Sequence, residues 1–380
     1  MSNQKRFSTR TTCAATPLPN VNRKRILGPE HLAPSSPGFV VAGVLNAGFL
    51  CFAEKHLLVA RVDEVVDSAI VKASKNKYAA DDAVPFFDYE TSKLSPVPVN
   101  CPPRYDPDHD YMVVSPKFEA VAARRLYFSY ISHLRLVEID LDYRYCSDRV
   151  ILSPSYKHDC YGCEDARAVF VDSTIAIVYN ALGICGSTIH RAQLAEDLSV
   201  TSREMILAPD QKHGCMFPRR IGGQLLMATR PLVRTYISAA GIWFYSSYDG
   251  LRWKVLGSVV LPRLDSTWDN VRVGPGAPPI CTDKGWLLFY YGVDSEKSYH
   301  IGAVLLDLEN PTQILLRTPL PLFSPEYDWE LNGRRADTVF PSGAHFDGKD
   351  RVLLYYGAAD TCVGVATFSL LELLGNMTAA

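Results

Sequence analysis

Six short apolar runs, most of them rich in tyrosine, constrain this chain more than any other feature. They are His56-Leu-Leu-Val-Ala-Arg61, Arg125-Leu-Tyr-Phe-Ser-Tyr130, Thr174-Ile-Ala-Ile-Val-Tyr179, Gln224-Leu-Leu-Met-Ala-Thr-Arg230, Gly285-Trp-Leu-Leu-Phe-Tyr-Tyr-Gly292 and Arg351-Val-Leu-Leu-Tyr-Tyr-Gly357. Most follow a turn signal: Asp172-Ser173, Gly222-Gly223, Asp283-Lys-Gly285 or Asp347-Gly-Lys-Asp350. β-branched and aromatic runs bounded by such residues read as strands joined by hairpins. Helical periodicity is nearly absent, apart from Thr367-Phe-Ser-Leu-Leu-Glu-Leu-Leu-Gly375, which reads as a short closing helix. The chain is therefore expected to be all-β. The runs recur every 50 to 70 residues or so, about the length of one four-stranded propeller blade with its loops.

With 380 residues and 47% hydrophobic side chains, the chain can bury a large core. A net charge of −2 gives no support to nucleic acid or a membrane surface as a partner, and no apolar run approaches the length of a membrane span. Residues 1–25 carry Lys5, Arg6, Arg10, Arg23, Lys24 and Arg25 without an acid. They read as a flexible basic tail, with a mitochondrial transit peptide as the other reading. Residues 26–380 are expected to form one domain, interrupted by a proline-rich loop over 79–110. Ten cysteines without framework spacing fit a reducing, cytoplasmic setting. Cys160 and Cys163 form the one Cys-x-x-Cys, beside His158. Without a second ligand pair at matching spacing they read as buried small side chains.

Three separate segments each deliver a basic residue: Lys212 in Gln211-Lys-His-Gly-Cys-Met-Phe-Pro218, Arg230 at the end of its run, and Arg272 in Trp268-Asp-Asn-Val-Arg-Val-Gly-Pro-Gly276. A fourth, Tyr161-Gly-Cys-Glu-Asp-Ala-Arg167, supplies carboxylates. Taken singly, each cation reads as a solvated surface charge and Asp165 as a turn residue. Taken together, cations suit an anion pocket and carboxylates suit proton transfer. Cleaving a bond with phosphate needs both.

These motifs, in order from Val44-Leu-Asn-Ala-Gly48 through Gly162-Cys-Glu-Asp-Ala-Arg167 and Val273-Gly-Pro-Gly-Ala-Pro-Pro279 to Asp337-Thr-Val-Phe-Pro-Ser-Gly343 and Tyr355-Tyr-Gly-Ala-Ala-Asp360, resemble glycoside hydrolase family 130. The resemblance runs from about Ile26 to Thr367. It implies a five-bladed β-propeller that moves a mannosyl group between a β-mannoside and phosphate, by single displacement with inversion and without metal or organic cofactor. Its partners would be manno-oligosaccharide, phosphate and mannose 1-phosphate, with β-1,2 linkages favoured and homo-oligomers allowed for. Carried over residue by residue, Asp165 becomes the proton donor. Lys212, Arg230, Arg272 and Tyr291 become phosphate contacts, and Asn46, Arg61, Glu164, Arg167 and Asp360 become sugar contacts.

Two positions depart from the family pattern. Tyr291 stands where the phosphorylases carry a phosphate-contacting histidine, and Ala166 stands where proline is usual. Tyrosine still donates one hydrogen bond but carries no charge at neutral pH. The hydrolytic branch of the family lacks the basic set, whereas this chain keeps three cations, which favours phosphate as the acceptor over water. Two further readings stay open at this point: a mannosyltransferase using GDP-mannose, as in some kinetoplastid members, and a non-catalytic carbohydrate-binding propeller.

Overall fold

A computed structural model describes residues 20–67, 83–98, 104–106, 109–114, 126–232 and 240–379. The expected tail before residue 20 lies outside these. Five antiparallel units follow one another along the described residues. The first consists of Phe39–Phe52, Lys55–Val66, Ile131–Ile139 and Tyr145–Leu152, and the second of Gly162–Val171, Thr174–Gly183, Gly186–Leu194 and Val200–Leu207. A single parallel pairing, Gly162 with Ser132, joins these two into one sheet. The third holds Gln211–Met216, Leu225–Pro231, Ile242–Ser247 and Lys254–Val260. The fourth is built on Arg272–Pro275, Trp286–Val293, Tyr299–Leu306 and Ile314–Arg317, and the fifth on Val339–Phe346, Arg351–Ala358 and Cys362–Ser369.

The N-terminal strand Asn22–Leu27 completes the fifth unit by pairing with Cys362–Ser369. Residues 22–25 of the segment expected to be flexible are thus part of a strand. Arg23 explains why: its guanidinium reaches Glu330 at 2.7 Å as well as Glu326, and it lies over the Phe323 and Tyr327 rings. The proline-rich stretch needs a second correction. Ala83–Asp88 and Lys93–Pro98 form a hairpin in which Pro85 faces Pro96. A two-stranded ribbon consists of edge strands, and a proline lacking its N–H is tolerated at an edge. The C-terminal helix does form, over Leu370–Gly375, with the Ser369 hydroxyl accepting from the Glu372 N–H at 3.1 Å.

Strand order within each unit follows burial. Gly162–Val171 is buried at every position but Phe170, whereas Lys254–Val260 is mostly exposed. A strand covered on both faces reads as a continuous apolar run, and an outer strand does not. The hairpin turns at Asp172-Ser173 and Gly222-Gly223 have positive φ at both central residues, the geometry that matches strand twist.

Apolar packing lies between the units. Separate clusters join the first unit to the second (Leu134, Ala168, Ile177), the second to the third (Val178, Met216, Met227) and the third to the fourth (Phe217, Phe244, Trp286). Two more join the fourth to the fifth (Phe289, Leu354, Tyr356) and the fifth back to the first (Tyr355, Val363, Phe49). The first strands of all five units contribute side chains to a common centre, namely Asn46, Asp165, Lys212, Arg272 and Phe340. Among the described residues, no helix is long and apolar enough to cross a membrane.

Candidate active site

At that centre a cavity with about 530 Å³ of empty space, counted to its open mouth, is lined by Asn46, Arg61, Asp165, Lys212, Arg230, Arg272 and Asp360. All seven were expected from the sequence. His213, Tyr299, Arg335, Thr338 and Phe340 complete the wall. Five cations therefore face two carboxylates among the lining side chains, which favours an anionic ligand.

Bulges aim these residues inward. The strand register shifts between Leu45 and Gly48, between Glu164 and Arg167, and between Lys212 and Cys215. Asn46, Asp165 and His213 sit inside those shifts with φ of 48°, 52° and 61°, and Ala359 and Asp360 have φ of 47° and 48°. A bulge adds one residue to a strand and turns its side chain away from the pleat. Non-glycine residues in the left-handed region are costly and gather where function holds them. Gly357 is required by the same geometry, since a Cβ there would land on the Asn46 side-chain oxygen.

Asp165 is surrounded by donors. Its Oδ1 accepts from Asn46 Nδ2 at 2.7 Å and Arg61 Nη1 at 3.2 Å. Its Oδ2 accepts from Asn180 Nδ2 at 3.1 Å and lies 3.4 Å from His213 Nε2. Burial alone would raise this carboxyl, but the Arg61 charge and the His213 hydrogen bond outweigh it and hold Asp165 well below the usual carboxylate range. Glu164, its neighbour in the chain, behaves oppositely. Burial pushes it up to about 7 against the pull of Arg61 and Lys212. Arg61 anchors the whole group: it grips Asp63 through two nitrogens at 2.8 and 3.0 Å and reaches Glu164 at 3.0 Å. Arg334 supports Asp63 from the far side at 2.6 Å.

The cation wall is built differently. Lys212 and Arg230 are partners across one strand pair, so a single hairpin presents both. Arg272 donates to the Tyr299 hydroxyl at 2.6 Å, and the Arg335 guanidinium lies 4.6 Å from the Tyr299 ring centre. Lys212 Nζ is 3.8 Å from Glu164, which ties this wall to the carboxylates.

Three expected site residues do not line the cavity. Arg167 is fully buried, and its guanidinium is spent on the carbonyls of Asp165, Ala166, Gly276 and Pro341. It holds the Asp165 loop against two other units instead of meeting a sugar. Glu164 is fully buried too, with Tyr130 and Ser132 as partners beside Arg61. Tyr291 lies behind the wall, its hydroxyl 3.1 Å from His213 Nδ1. Cys160 and Cys163 are buried and unpaired. Arg335, Thr338 and Phe340 were not expected as site residues, although Thr338 and Phe340 lie within the recognised Asp337-Thr-Val-Phe motif and Arg335 lies two residues before it.

Comparison with known proteins gives the family. Residues 125–379 match the family model described as beta-1,4-mannooligosaccharide phosphorylase, that of glycoside hydrolase family 130. Beta-1,2-mannobiose phosphorylase of Listeria innocua is 30% identical over 93% of this chain and 96% of its own length. The 1,2-beta-oligomannan phosphorylase of a Thermoanaerobacter species is 33% identical over 60% of this chain and 74% of its own. The solved Listeria innocua beta-1,2-mannobiose phosphorylase, in complex with beta-1,2-mannobiose, aligns with a TM-score of 0.78 at 27% identity, covering 94% of this chain and 99% of that one. With two thirds of its length matched by the family model and nearly all of it by a relative, the chain belongs to glycoside hydrolase family 130.

Proposed function

We propose that this protein is a β-mannoside phosphorylase acting on β-1,2-linked manno-oligosaccharides. The observation that carries the proposal is the meeting of Asp165 with Lys212, Arg230, Arg272 and Arg335 in one cavity. The five units form one catalytic domain, a five-bladed β-propeller. The apolar cluster between the fifth and first units and the closing strand Asn22–Leu27 support that closure. Scattered cysteines support a cytoplasmic setting.

In the reaction, a phosphate oxygen held by the cation wall attacks the anomeric carbon as the bond from that carbon to the glycosidic oxygen breaks. The leaving oxygen takes a proton from Asp165, and the products are α-mannose 1-phosphate and a shortened chain. One acid suffices because phosphate is already a nucleophile and needs no base, unlike the water of an inverting glycosidase. Fixed guanidinium groups hold phosphate through charge-assisted hydrogen bonds. The Arg61 charge and His213 favour Asp165 as the anion, which is the form the reverse reaction uses as base. A phosphate dianion against the cation wall offsets the positive field and raises Asp165 toward its acid form.

Incubation with β-1,2-mannobiose tests this. The expected result is mannose 1-phosphate and mannose in equal amounts, with no turnover when phosphate is omitted. Release of two mannoses per disaccharide at a rate indifferent to phosphate would mark a hydrolase. Inertness in both directions, with mannan still bound, would mark a carbohydrate-binding propeller.

A further inference from the structure

Tyr291 is fully buried in the middle of Trp286–Val293, with its hydroxyl against His213, which does line the cavity. Its seat is specific: a Cβ on Gly274, across the sheet, would fall on the phenol ring and hydroxyl. The hydroxyl is 3.1 Å from His213 Nδ1, and His213 Nε2 lies 3.4 Å from Asp165 Oδ2. The positive charge of Arg230, on the cavity wall, acts on the phenol. The His213 ring is clamped edge-on between Tyr291 and Phe340, with centroids 5.4 and 5.0 Å apart. The Asn180 side-chain oxygen accepts from the His213 backbone N–H at 2.8 Å and fixes the strand beneath it.

We propose that Tyr291 and His213 form a directional hydrogen-bond relay to Asp165, both as positioning residues. The Asp165 carboxylate can only accept, so the hydrogen of the neutral His213 ring belongs on Nε2, 3.4 Å from Asp165 Oδ2. Nδ1 is then an acceptor, and the phenol hydrogen of Tyr291 points at it. Burial pushes His213 down to about 3, which keeps the ring neutral and the polarity of the chain fixed at working pH. The substitution of tyrosine for the family's histidine then acts through His213 and not on phosphate directly. Other charged or titratable groups around the relay are Arg61 from the first unit, Glu164 and Arg167 from the second, Arg230 from the third, and Arg272 and Tyr299 from the fourth. None of them separates Tyr291 from His213.

This inference rests on the proposed phosphorolysis, and its test uses Tyr291→Phe and His213→Gln. Without the phenol hydrogen the imidazole is released to carry its hydrogen on Nδ1, turning a lone pair toward Asp165 and favouring the protonated carboxyl. The Asp165 limb of the pH profile should move up by at least about half a pH unit in Tyr291→Phe, with the phosphate KM within about threefold of wild type. The His213→Gln variant keeps an amide donor toward Asp165 that no longer depends on Tyr291, so adding Tyr291→Phe should shift the limb less in that background. Ring nitrogen NMR shifts of His213 provide a readout that needs no turnover, and so stay decisive even if wild-type phosphorolysis fails. Nε2–H in the wild type and a share of Nδ1–H in Tyr291→Phe are expected. A tenfold rise in phosphate KM with an unmoved limb would make Tyr291 a direct phosphate contact and overturn the relay. So would an unchanged tautomer, or a fall in melting temperature with an unchanged limb.

Discussion

The two ends of the cavity are charged by different rules. At the carboxylate end Asp63, Glu164 and Asp165 close around Arg61, with Arg334 behind, and each acid has a basic partner within 3.2 Å or less. At the cation end Arg272 and Arg335 rest against one tyrosine, Tyr299, and the nearest acid to Lys212 is shared with the other end at 3.8 Å. An end whose charges are balanced among themselves keeps its geometry whether or not ligand is present. An end that brings several cations to one wall sets up a positive field that suits an anionic ligand. The first arrangement suits a proton donor that must be held in place, and the second suits a mobile dianion.

Removing the acid should break this contrast most severely. Asp165→Asn keeps the size of the side chain and the donors that face its one amide oxygen, such as Asn46 and Arg61, while both reaction directions lose roughly 10²–10⁴-fold in rate. A variant retaining more than about a tenth of wild-type kcat would show that the proton comes from elsewhere, with Glu164 next in line.

Arg230→Ala and Arg272→Ala attack the other end. Each removes a charge-assisted contact worth about 1.5–3 kcal/mol, which raises the phosphate KM roughly 10- to 100-fold and leaves that for oligosaccharide nearly unchanged. Steady-state kinetics with each substrate varied in turn decide it; equal losses in both would mean the two ends are not separable.

Glu164→Gln sharpens the border between the ends. Burial raises the Glu164 pKa to about 7 in the folded protein, so the folded state favours the neutral carboxyl. Its contribution to stability is present below the unfolded value of about 4.3 and is lost as pH rises through 7. Glutamine stays neutral throughout. The melting temperature of the variant should therefore gain on wild type between pH 5 and 8; a constant gap over that range would mean that Glu164 is ionised throughout. Tyr299→Phe should have the smallest effect. It removes the hydrogen bond from Arg272 but keeps the ring under both guanidinium groups, costing about 0.5–1.5 kcal/mol in phosphate binding.

Much of this was legible in the sequence. Strand runs and hairpin signals such as Asp172-Ser173 report local physics, and the structure places them as expected. Seven of the ten expected site residues line the cavity. The three that do not, Glu164, Arg167 and Tyr291, lie on or beside a bulge or behind it, where one residue of register decides which side of a strand a side chain takes. A motif conveys that these residues are near the chemistry, but not whether they face the ligand or brace what does. Arg335 was missed for the converse reason: it sits in a loop before Val339–Phe346, where no alternation marks its direction. The proline-rich hairpin was misread because proline signals a break, and only pairing with a second edge strand shows where it is tolerated.

The central claim, that one cavity holds a proton donor at one end and an anion site at the other, is tested most directly by a crystal structure with phosphate and β-1,2-mannobiose bound. The account predicts phosphate oxygens within about 3 Å of Arg230 and Arg272 nitrogens, on the face of the sugar opposite the glycosidic oxygen, with Asp165 on the side of that oxygen. Phosphate bound away from the cation wall, or on the same side of the sugar as Asp165, would contradict it.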